Sequence, residues 1–173
     1  MYFNTVFLAL FVSTALAGST SRSQTVQPQE LGRLAAESKG VSIVSFSSNQ
    51  TIFTFAADGA STVEVLLPVQ EGRKDQHYIW DRFKASSKSW AFQNRDTKQY
   101  LTINKNNDRL ITSADEAGLF SVVPGADGGF FIEELTTDQV AQPIFHGAMT
   151  EFSEVVFSKI TGSLEQRWFY RVE

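Results

Sequence analysis

Residue types that carry most enzyme chemistry are scarce in this sequence. It has no cysteine, and its two histidines, His77 and His146, lie 69 positions apart. A thiol nucleophile, a thiolate zinc site and an iron–sulfur cluster are therefore excluded. Glu133 and Glu134 are neighbours, so in a strand they point to opposite faces and cannot work as a paired acid and base. We find no nucleophile elbow, phosphate loop or His-Glu-x-x-His motif, and we predict a protein that is not an enzyme and holds no metal or cofactor.

The side chains best suited to binding a ligand lie between Tyr100 and Asp108. Asn104, Asn106 and Asp108 could hydrogen-bond adjacent hydroxyl groups, while the ring of Tyr100 supplies an apolar face. That combination is the chemistry of a sugar site. The same run, NKNND at 104–108, is also typical of a hairpin turn, because its residues tolerate a left-handed backbone. The sequence leaves both interpretations open.

Short β-strands must position these side chains. From residue 41 onward, runs of β-branched and aromatic residues are separated by clusters of Gly, Asn, Asp and Ser, as in an all-β sandwich or barrel. With 22 aromatic residues and 42% apolar residues, the chain can build one domain with a substantial core. We predict twelve strands in three groups of four, at 42–46, 51–55, 62–67 and 78–83, at 89–94, 99–103, 109–112 and 119–123, and at 130–134, 143–145, 154–158 and 167–172.

A weak internal repeat divides these strands into units. QHYIW at 76–80 and QRWFY at 166–170 share the pattern Gln-x-aromatic-x-aromatic, and GLFSV at 118–122 is a degenerate third copy. Aligning Tyr78, Phe120 and Trp168 places the copies 42 and 48 residues apart. We therefore predict three units, 40–84, 85–126 and 127–173, that close into a pseudo-threefold barrel without exposed strand edges.

The three units, the stretch WAFQNRDTKQYLTI at 90–103 and the closing Gln-Arg-Trp at 166–168 resemble the ricin-B-type β-trefoil lectins, particularly the small cysteine-free fungal members. The resemblance covers roughly residues 41–173. It implies a β-trefoil that binds glycans or glycoproteins without catalysis. In galactose-binding members an early-strand Asp and a downstream Asn hold the sugar, and no residue here clearly matches that Asp. The Gln-x-Trp side chains, Trp168 included, are expected in the core and turns rather than at a ligand.

A second function is compatible with the same fold. Unrelated trefoils also serve as protease inhibitors, and loops at 56–61 and 124–129 could be presented to a protease. A secreted protease inhibitor is therefore the alternative prediction. Nucleic acid is not an expected partner, because the net charge is −4, from 15 basic and 19 acidic residues, and no basic stripe is present.

The N-terminal residues have the features of a secretory signal. The apolar run VFLALFV at 6–12 precedes Ala15-Leu16-Ala17, and cleavage there leaves Gly18 first. We predict a signal peptide at 1–17 and a polar leader at 18–39, flexible over 18–29 and able to form a short helix at 30–39. We also predict a secreted, extracellular protein without membrane insertion. The sequon Asn49-Gln50-Thr51 predicts N-glycosylation of Asn49.

Overall fold

The described part of the chain is mostly β-structure. The computed structural model describes residues 24–31, 34, 40–54, 65–68, 77–144 and 153–172, so the predicted signal peptide lies outside the described residues. Within them, no helix is long and apolar enough to cross a membrane. The elements in chain order are β1 (Thr25–Val26), α1 (Pro28–Leu31), β2 (Val41–Ser45), β3 (Gln50–Phe53), β4 (Val65–Pro68), β5 (Trp80–Lys84), β6 (Trp90–Asn94), β7 (Tyr100–Asn104), β8 (Arg109–Ser113), β9 (Ala117–Gly118), β10 (Phe120–Pro124), β11 (Phe130–Glu134), β12 (Gln139–Ile144), β13 (Ser153–Lys159), a 3-10 helix (Leu164–Gln166) and β14 (Trp168–Val172).

Six of these strands form a closed barrel. β2 pairs with β5, β5 with β6, β6 with β10, β10 with β11, β11 with β14, and β14 returns to β2, every pair antiparallel. The returning strand runs along the whole of β2, from Trp168 opposite Ser45 to Val172 opposite Val41. Closure pairs both sides of each of these six strands, which removes the edges that promote aggregation.

Three hairpins lie outside the barrel ring and pair with one another. They are β3–β4, β7–β8 and β12–β13, and β13 also pairs with β4 and with β8. Unit one, unit two and unit three each contribute two barrel strands and one hairpin. This arrangement is the β-trefoil, so the predicted all-β fold of three four-stranded units is confirmed, and each of the twelve predicted strands has a counterpart in the same order.

The register that relates the units differs from the predicted one. In each unit the first residue of the first strand lies opposite the first residue of the fourth, which pairs Val41 with Trp80, Trp90 with Phe120, and Phe130 with Trp168. The counterpart of Trp168 is therefore Trp80. The predicted alignment through Tyr78 is wrong by two residues.

Burial and hydrogen bonding explain this register. Trp80 and Trp168 are both fully buried, and their indole N–H groups donate to equivalent carbonyls, those of Ile52 at 3.3 Å and Ala141 at 2.9 Å. Tyr78 is only half-buried. The expected burial of Trp168 is confirmed, and the repeat is set by the fully buried aromatic rather than by the Gln-x-aromatic pattern.

Part of the predicted leader is ordered against unit two. β1 pairs with β9, with Thr25 opposite Gly118 and Val26 opposite Ala117. The described helix, α1, begins at Pro28, two residues before the predicted start, because the fixed φ of proline suits the first position of a helix. Residues 35–39 lie outside the described residues. The segment 24–31 is therefore part of the fold, in contrast to the flexible leader that the sequence predicted.

Candidate functional site

Tyr100, the predicted apolar face of a sugar site, is buried. Its side chain is 6% exposed and packs with Leu31, Ala91 and Ala117, while the ring of Phe83 lies 6.3 Å from its own. Burial raises the pKa of the Tyr100 phenol. In this structure Tyr100 therefore belongs to a small apolar cluster and offers no open ring to a ligand.

The predicted polar residues lie in the turn between β7 and β8. The side-chain oxygen of Asn104 accepts the backbone N–H of Asn106 at 3.0 Å, and that of Asn107 accepts the N–H of Arg109 at 3.3 Å. Asp108 has a φ of 54°, in the left-handed region, and its N–H donates to the carbonyl of Asn104. The turn interpretation thus accounts for Asn104 and Asp108, while the side chains of Asn106 and Asp108 are exposed.

The structure does not bring Tyr100 and Asn104 together. They stand at opposite ends of β7, on the same face and about 13 Å apart at the usual rise of a strand. Thr102 lies between them on that face and is 3% exposed. The predicted set of four residues is therefore divided, with Tyr100 at the covered end of the hairpin and the other three at its open end.

An open surface depression of about 320 Å³ lies on this hairpin, at the low end of the range for small-molecule sites. Of the predicted residues, Asn104 lines the depression, and Tyr100, Asn106 and Asp108 do not. We call it the unit-two pocket, and it is lined by Thr102, Ile103, Asn104, Lys105, Ile111, Ser113 and Glu116.

The hydroxyl of Thr102 is the unusual group of the unit-two pocket. Its oxygen is buried and makes no hydrogen bond within the described part of the chain. An unpaired buried hydroxyl costs about 1 to 3 kcal/mol, so most folds avoid it. Because this oxygen is also closed to solvent, a ligand hydroxyl could pair with it only after the Thr102 side chain rotates toward the pocket.

Unit three shows what fills the equivalent space there. In the two hairpins, Tyr100 lies opposite Ser113 and Val140 opposite Ser158, so Thr102 corresponds to Gln142 and Ser113 to Ser158. Gly118 and Gln166 correspond because each precedes its buried aromatic by two residues. In this last pair, the long side chain of Gln166 in unit three is replaced by no side chain in unit two.

Gln166 is fully buried and joins the parts of unit three. Its amide nitrogen donates to Gln142, Ser158 and the carbonyl of Lys159, and its oxygen accepts from Thr161 and Gly162. The expectation that the Gln-x-Trp residues belong to core and turns is met by this network. At Gly118 a Cβ would lie within 3.0 Å of the backbone of Leu101 and Thr102, so no side chain can reach from there to Thr102. The space that Gln166 spans in unit three is left without a side chain from the equivalent position in unit two.

The rim of the unit-two pocket carries opposite charges. Lys105 Nζ lies 3.9 Å from a carboxylate oxygen of Glu116, and both side chains are nearly half exposed. The Ser113 hydroxyl accepts the backbone N–H groups of Asp115 and Glu116, both at 3.1 Å, which fixes the loop beside the pocket. The pocket therefore suits an uncharged, polar ligand, since its own charges offset each other.

Sequence reasoning missed most of this site. Thr102 could have been found from Asn104, because alternation along a strand puts the two on one face. Ser113 and Ile111 follow only from the register of β7 with β8. Glu116 and Lys105 carry no local signal, since isolated charges are usual on a protein surface.

The remaining titratable candidates lie apart from the unit-two pocket. His77 Nε2 is 3.0 Å from a carboxylate oxygen of Asp96, and its ring is 5.5 Å from that of Phe53. Burial, and then the charge of Asp138, raises the pKa of Glu133, whereas Glu134 is buried and accepts hydrogen bonds from Thr136 and Thr137. No group of three metal-ligating side chains occurs within the described residues, and His146 lies outside them.

The other predicted positions are surface turns. Asn49 is exposed with a φ of 54°, and its side-chain oxygen accepts a hydrogen bond of 3.3 Å from Arg171. The candidate inhibitor loop at 56–61 lies outside the described residues. The loop at 124–129 is a closed turn, with the N–H of Gly125 donating to Gly129 at 2.6 Å and Asp127 paired with Arg167.

Comparison with known proteins gives structural likenesses only. No protein-family model matches the sequence, and no curated protein does. The ricin B-like lectin of Macrolepiota procera, solved in complex with lactose, is 16% identical, with a TM-score of 0.65 over 80% of this chain and 99% of that one. The Rhizoctonia solani agglutinin is 17% identical, with a TM-score of 0.64 over 80% and 99%. The cytolethal distending toxin of Haemophilus ducreyi is 15% identical, with a TM-score of 0.64 over 92% and 95%. Likenesses at this identity show a shared fold.

Proposed function

We propose that this β-trefoil is a secreted, non-catalytic carbohydrate-binding protein and that the unit-two pocket is its sugar site. The observation that carries the proposal is the buried Thr102 hydroxyl, which has no partner among the described residues although it belongs to a residue that lines the unit-two pocket. Its oxygen is closed to solvent in the present rotamer, so a sugar hydroxyl would complete its hydrogen bonding once the Thr102 side chain rotates toward the pocket. No metal and no covalent step are needed for such recognition.

In this proposal, polar residues of the pocket hydrogen-bond the sugar hydroxyls and an apolar residue packs against the sugar ring. Thr102 would exchange a hydrogen bond with one hydroxyl, and the amide of Asn104 would pair with a neighbouring one. Ile111, opposite Thr102 on the same face, supplies apolar surface for the C–H side of the ring, whereas the side chain of Ile103 belongs to the core. Asn106 and Asp108, exposed in the adjoining turn, could contact a second sugar residue outside the pocket, and Tyr100 takes no part while it is covered.

The structural likenesses support a sugar ligand without choosing one. Two of the similar structures are a ricin B-like lectin in complex with lactose and an agglutinin. A toxin shares the fold as well, so the fold alone does not select a function. The proposal therefore rests on the pocket, and the likeness to lectins agrees with it.

A glycan array probed with the parent protein and with Thr102→Val tests the proposal. We expect the parent to be retained on at least one class of glycan and the valine variant to lose most of that retention, because valine keeps the shape and removes the hydroxyl. Retention that is equal in the two proteins would move the site away from the unit-two pocket. A panel of proteases, run with the same preparation, tests the alternative inhibitor function, for which neither candidate loop offers an observation in its favour.

Secretion and glycosylation complete the proposal. The predicted signal peptide at 1–17 gives a mature protein that begins at Gly18, and the exposed turn at Asn49 is open to a glycosyltransferase. Mass spectrometry of protein from the medium of a eukaryotic host should find Gly18 at the N terminus and a glycan on Asn49. An intact Met1 in the secreted material would refute the cleavage.

A further inference from the structure

The segment Gln24–Leu31, which we call the N-terminal arm, is bound beside the unit-two pocket. Its strand β1 pairs with β9, and the carbonyl of Gln24 accepts the backbone N–H of Leu119 at 3.0 Å. β9 follows directly on Glu116, which lines the pocket. The arm therefore forms one border of the loop that carries the pocket wall.

The arm also covers the next position along the hairpin. Leu31 is 1% exposed and packs in one cluster with Tyr100, Ala91 and Ala117. Tyr100 lies two residues before Thr102 on the same face of β7 and directly opposite Ser113, and both Thr102 and Ser113 line the pocket. The ring of Tyr100 is thus the next side chain beyond the pocket, and Leu31 is one of the residues that bury it.

We infer that the N-terminal arm determines the length of ligand that the unit-two pocket accepts, by covering the Tyr100 end of the hairpin with Leu31. With the arm bound, the site ends at Thr102 and Ser113 and takes a single terminal sugar. With the arm released, the site extends onto the Tyr100 ring, whose face can pack on a second sugar ring. This inference rests on the proposed function, because it assigns a size class to the same ligand.

A pair of matched variants separates this role from simple loss of stability. Leu31→Ser removes the buried anchor of the arm, whereas Leu34→Ser makes the same chemical change three residues further on, at a leucine that is 36% exposed. We expect Leu31→Ser to release the arm and Leu34→Ser to leave it bound. The thermal midpoint of both variants should show that the barrel remains folded.

Two measurements detect release of the N-terminal arm in the absence of any ligand. Hydrogen exchange at the amide of Leu119 should become severalfold faster in Leu31→Ser, because its acceptor lies on the arm. Nitration of Tyr100 by tetranitromethane, located by peptide mapping, should rise in the same variant. Unchanged exchange and unchanged nitration in Leu31→Ser would overturn the inference, since Leu31 would then not hold the cover.

A glycan array carrying monosaccharides and their di- and tetrasaccharides, galactose and lactose among them, tests the effect on the ligand. We expect the parent and Leu34→Ser to retain terminal single sugars and longer glycans alike, and Leu31→Ser to gain severalfold retention on the longer glycans only. If Tyr100 becomes reactive while the array profile does not change, the arm does not limit the site. If no protein is retained on any glycan, the carbohydrate function fails, and a change in exchange and nitration would still establish the cover over Tyr100.

A crosslink keeps the inference testable if Leu31→Ser proves unstable. Val26 and Ala117 lie opposite each other in the β1–β9 pair, and the chain has no cysteine of its own, so Val26→Cys with Ala117→Cys allows a single disulfide. Combined with Leu31→Ser, oxidation should restore slow exchange at Leu119 and the parental array profile, and reduction should reverse both. If the array profile is the same in the oxidised and the reduced protein, the arm does not determine the length of ligand that the pocket accepts.

Discussion

At the scale of single residues, Thr102 offers a test in which stability and binding move in opposite directions. Thr102→Val should raise the free energy of unfolding by about 1 kcal/mol or leave it unchanged, because it removes an unpaired buried hydroxyl. The matched control is Thr51→Val. Thr51 is also buried, but its hydroxyl donates to the carbonyl of Ile43 at 3.2 Å, so its loss should destabilise by about 1 kcal/mol.

Urea unfolding of both variants measures the difference. A loss of stability in Thr102→Val equal to that in Thr51→Val would mean that Thr102 has a partner in the folded protein. The unit-two pocket would then contain no unpaired hydroxyl for a ligand to hydrogen-bond.

Tyr170 makes stability depend on alkaline pH. Burial raises the pKa of its phenol from the ordinary tyrosine value of 10.0 to about 12, although the neighbouring Arg82 guanidinium, 4.5 Å from its ring, lowers it. Below pH 10 the phenol is neutral in both folded and unfolded chains. Between about pH 10 and 12 only the unfolded chain loses its proton, so the stability held by neutral Tyr170 is lost as the pH rises through that window.

Urea midpoints between pH 8 and pH 12 check this dependence. Tyr170→Phe, which keeps the ring, should show a shallower fall of the midpoint above pH 10 than the parent does. Parallel curves for the two proteins would show that the Tyr170 phenol titrates alike in folded and unfolded chains.

At the scale of elements, the register of the repeat can be checked in unit one. Trp80→Ala should destabilise by about 3 to 5 kcal/mol, the usual cost of deleting a large buried aromatic side chain. Tyr78→Ala should cost clearly less, because Tyr78 is half-buried. Denaturant midpoints of the two variants measure both costs. A larger loss in Tyr78→Ala would favour the alignment that the Gln-x-aromatic pattern predicted.

The sequence predicts the strands well for a physical reason. In segments such as β6 and β7, side-chain alternation and flanking turn residues act locally, so twelve strands could be placed from short windows. β1 has two residues, too few to show any period, and its pairing with β9 depends on contacts made across about 90 positions of the chain. For this reason the sequence assigned residues 25 and 26 to a leader, whereas the structure places them in a strand paired with β9.

The candidate site was harder to predict because burial is not a local property. Tyr100 has the same side chain whether it is open to a ligand or covered by Leu31, and the sequence does not distinguish these states. Asn104 was found because amide-rich runs are recognisable. Thr102 attracts no notice until the comparison with Gln142 and Gln166 shows which space is filled in unit three.

At the scale of the whole molecule, the barrel depends on its last strand. A chain that ends at Arg167 lacks Trp168 and all of β14, which pairs with both β2 and β11. We expect it to lose cooperative unfolding and its near-UV circular dichroism, because two barrel strands become edges and a fully buried tryptophan is absent. Val172→Ala, at an exposed residue of the same strand, is the control and should unfold like the parent.

The pairing of β14 with β2 also fixes an order of events during synthesis. A ribosome makes the chain from its N terminus, so β2 lacks its partner β14 until residues 168–172 have been made. Until then the nascent chain presents an open strand and an unfilled interior, the surfaces that chaperones hold. The barrel can therefore close only after β14 has left the ribosome.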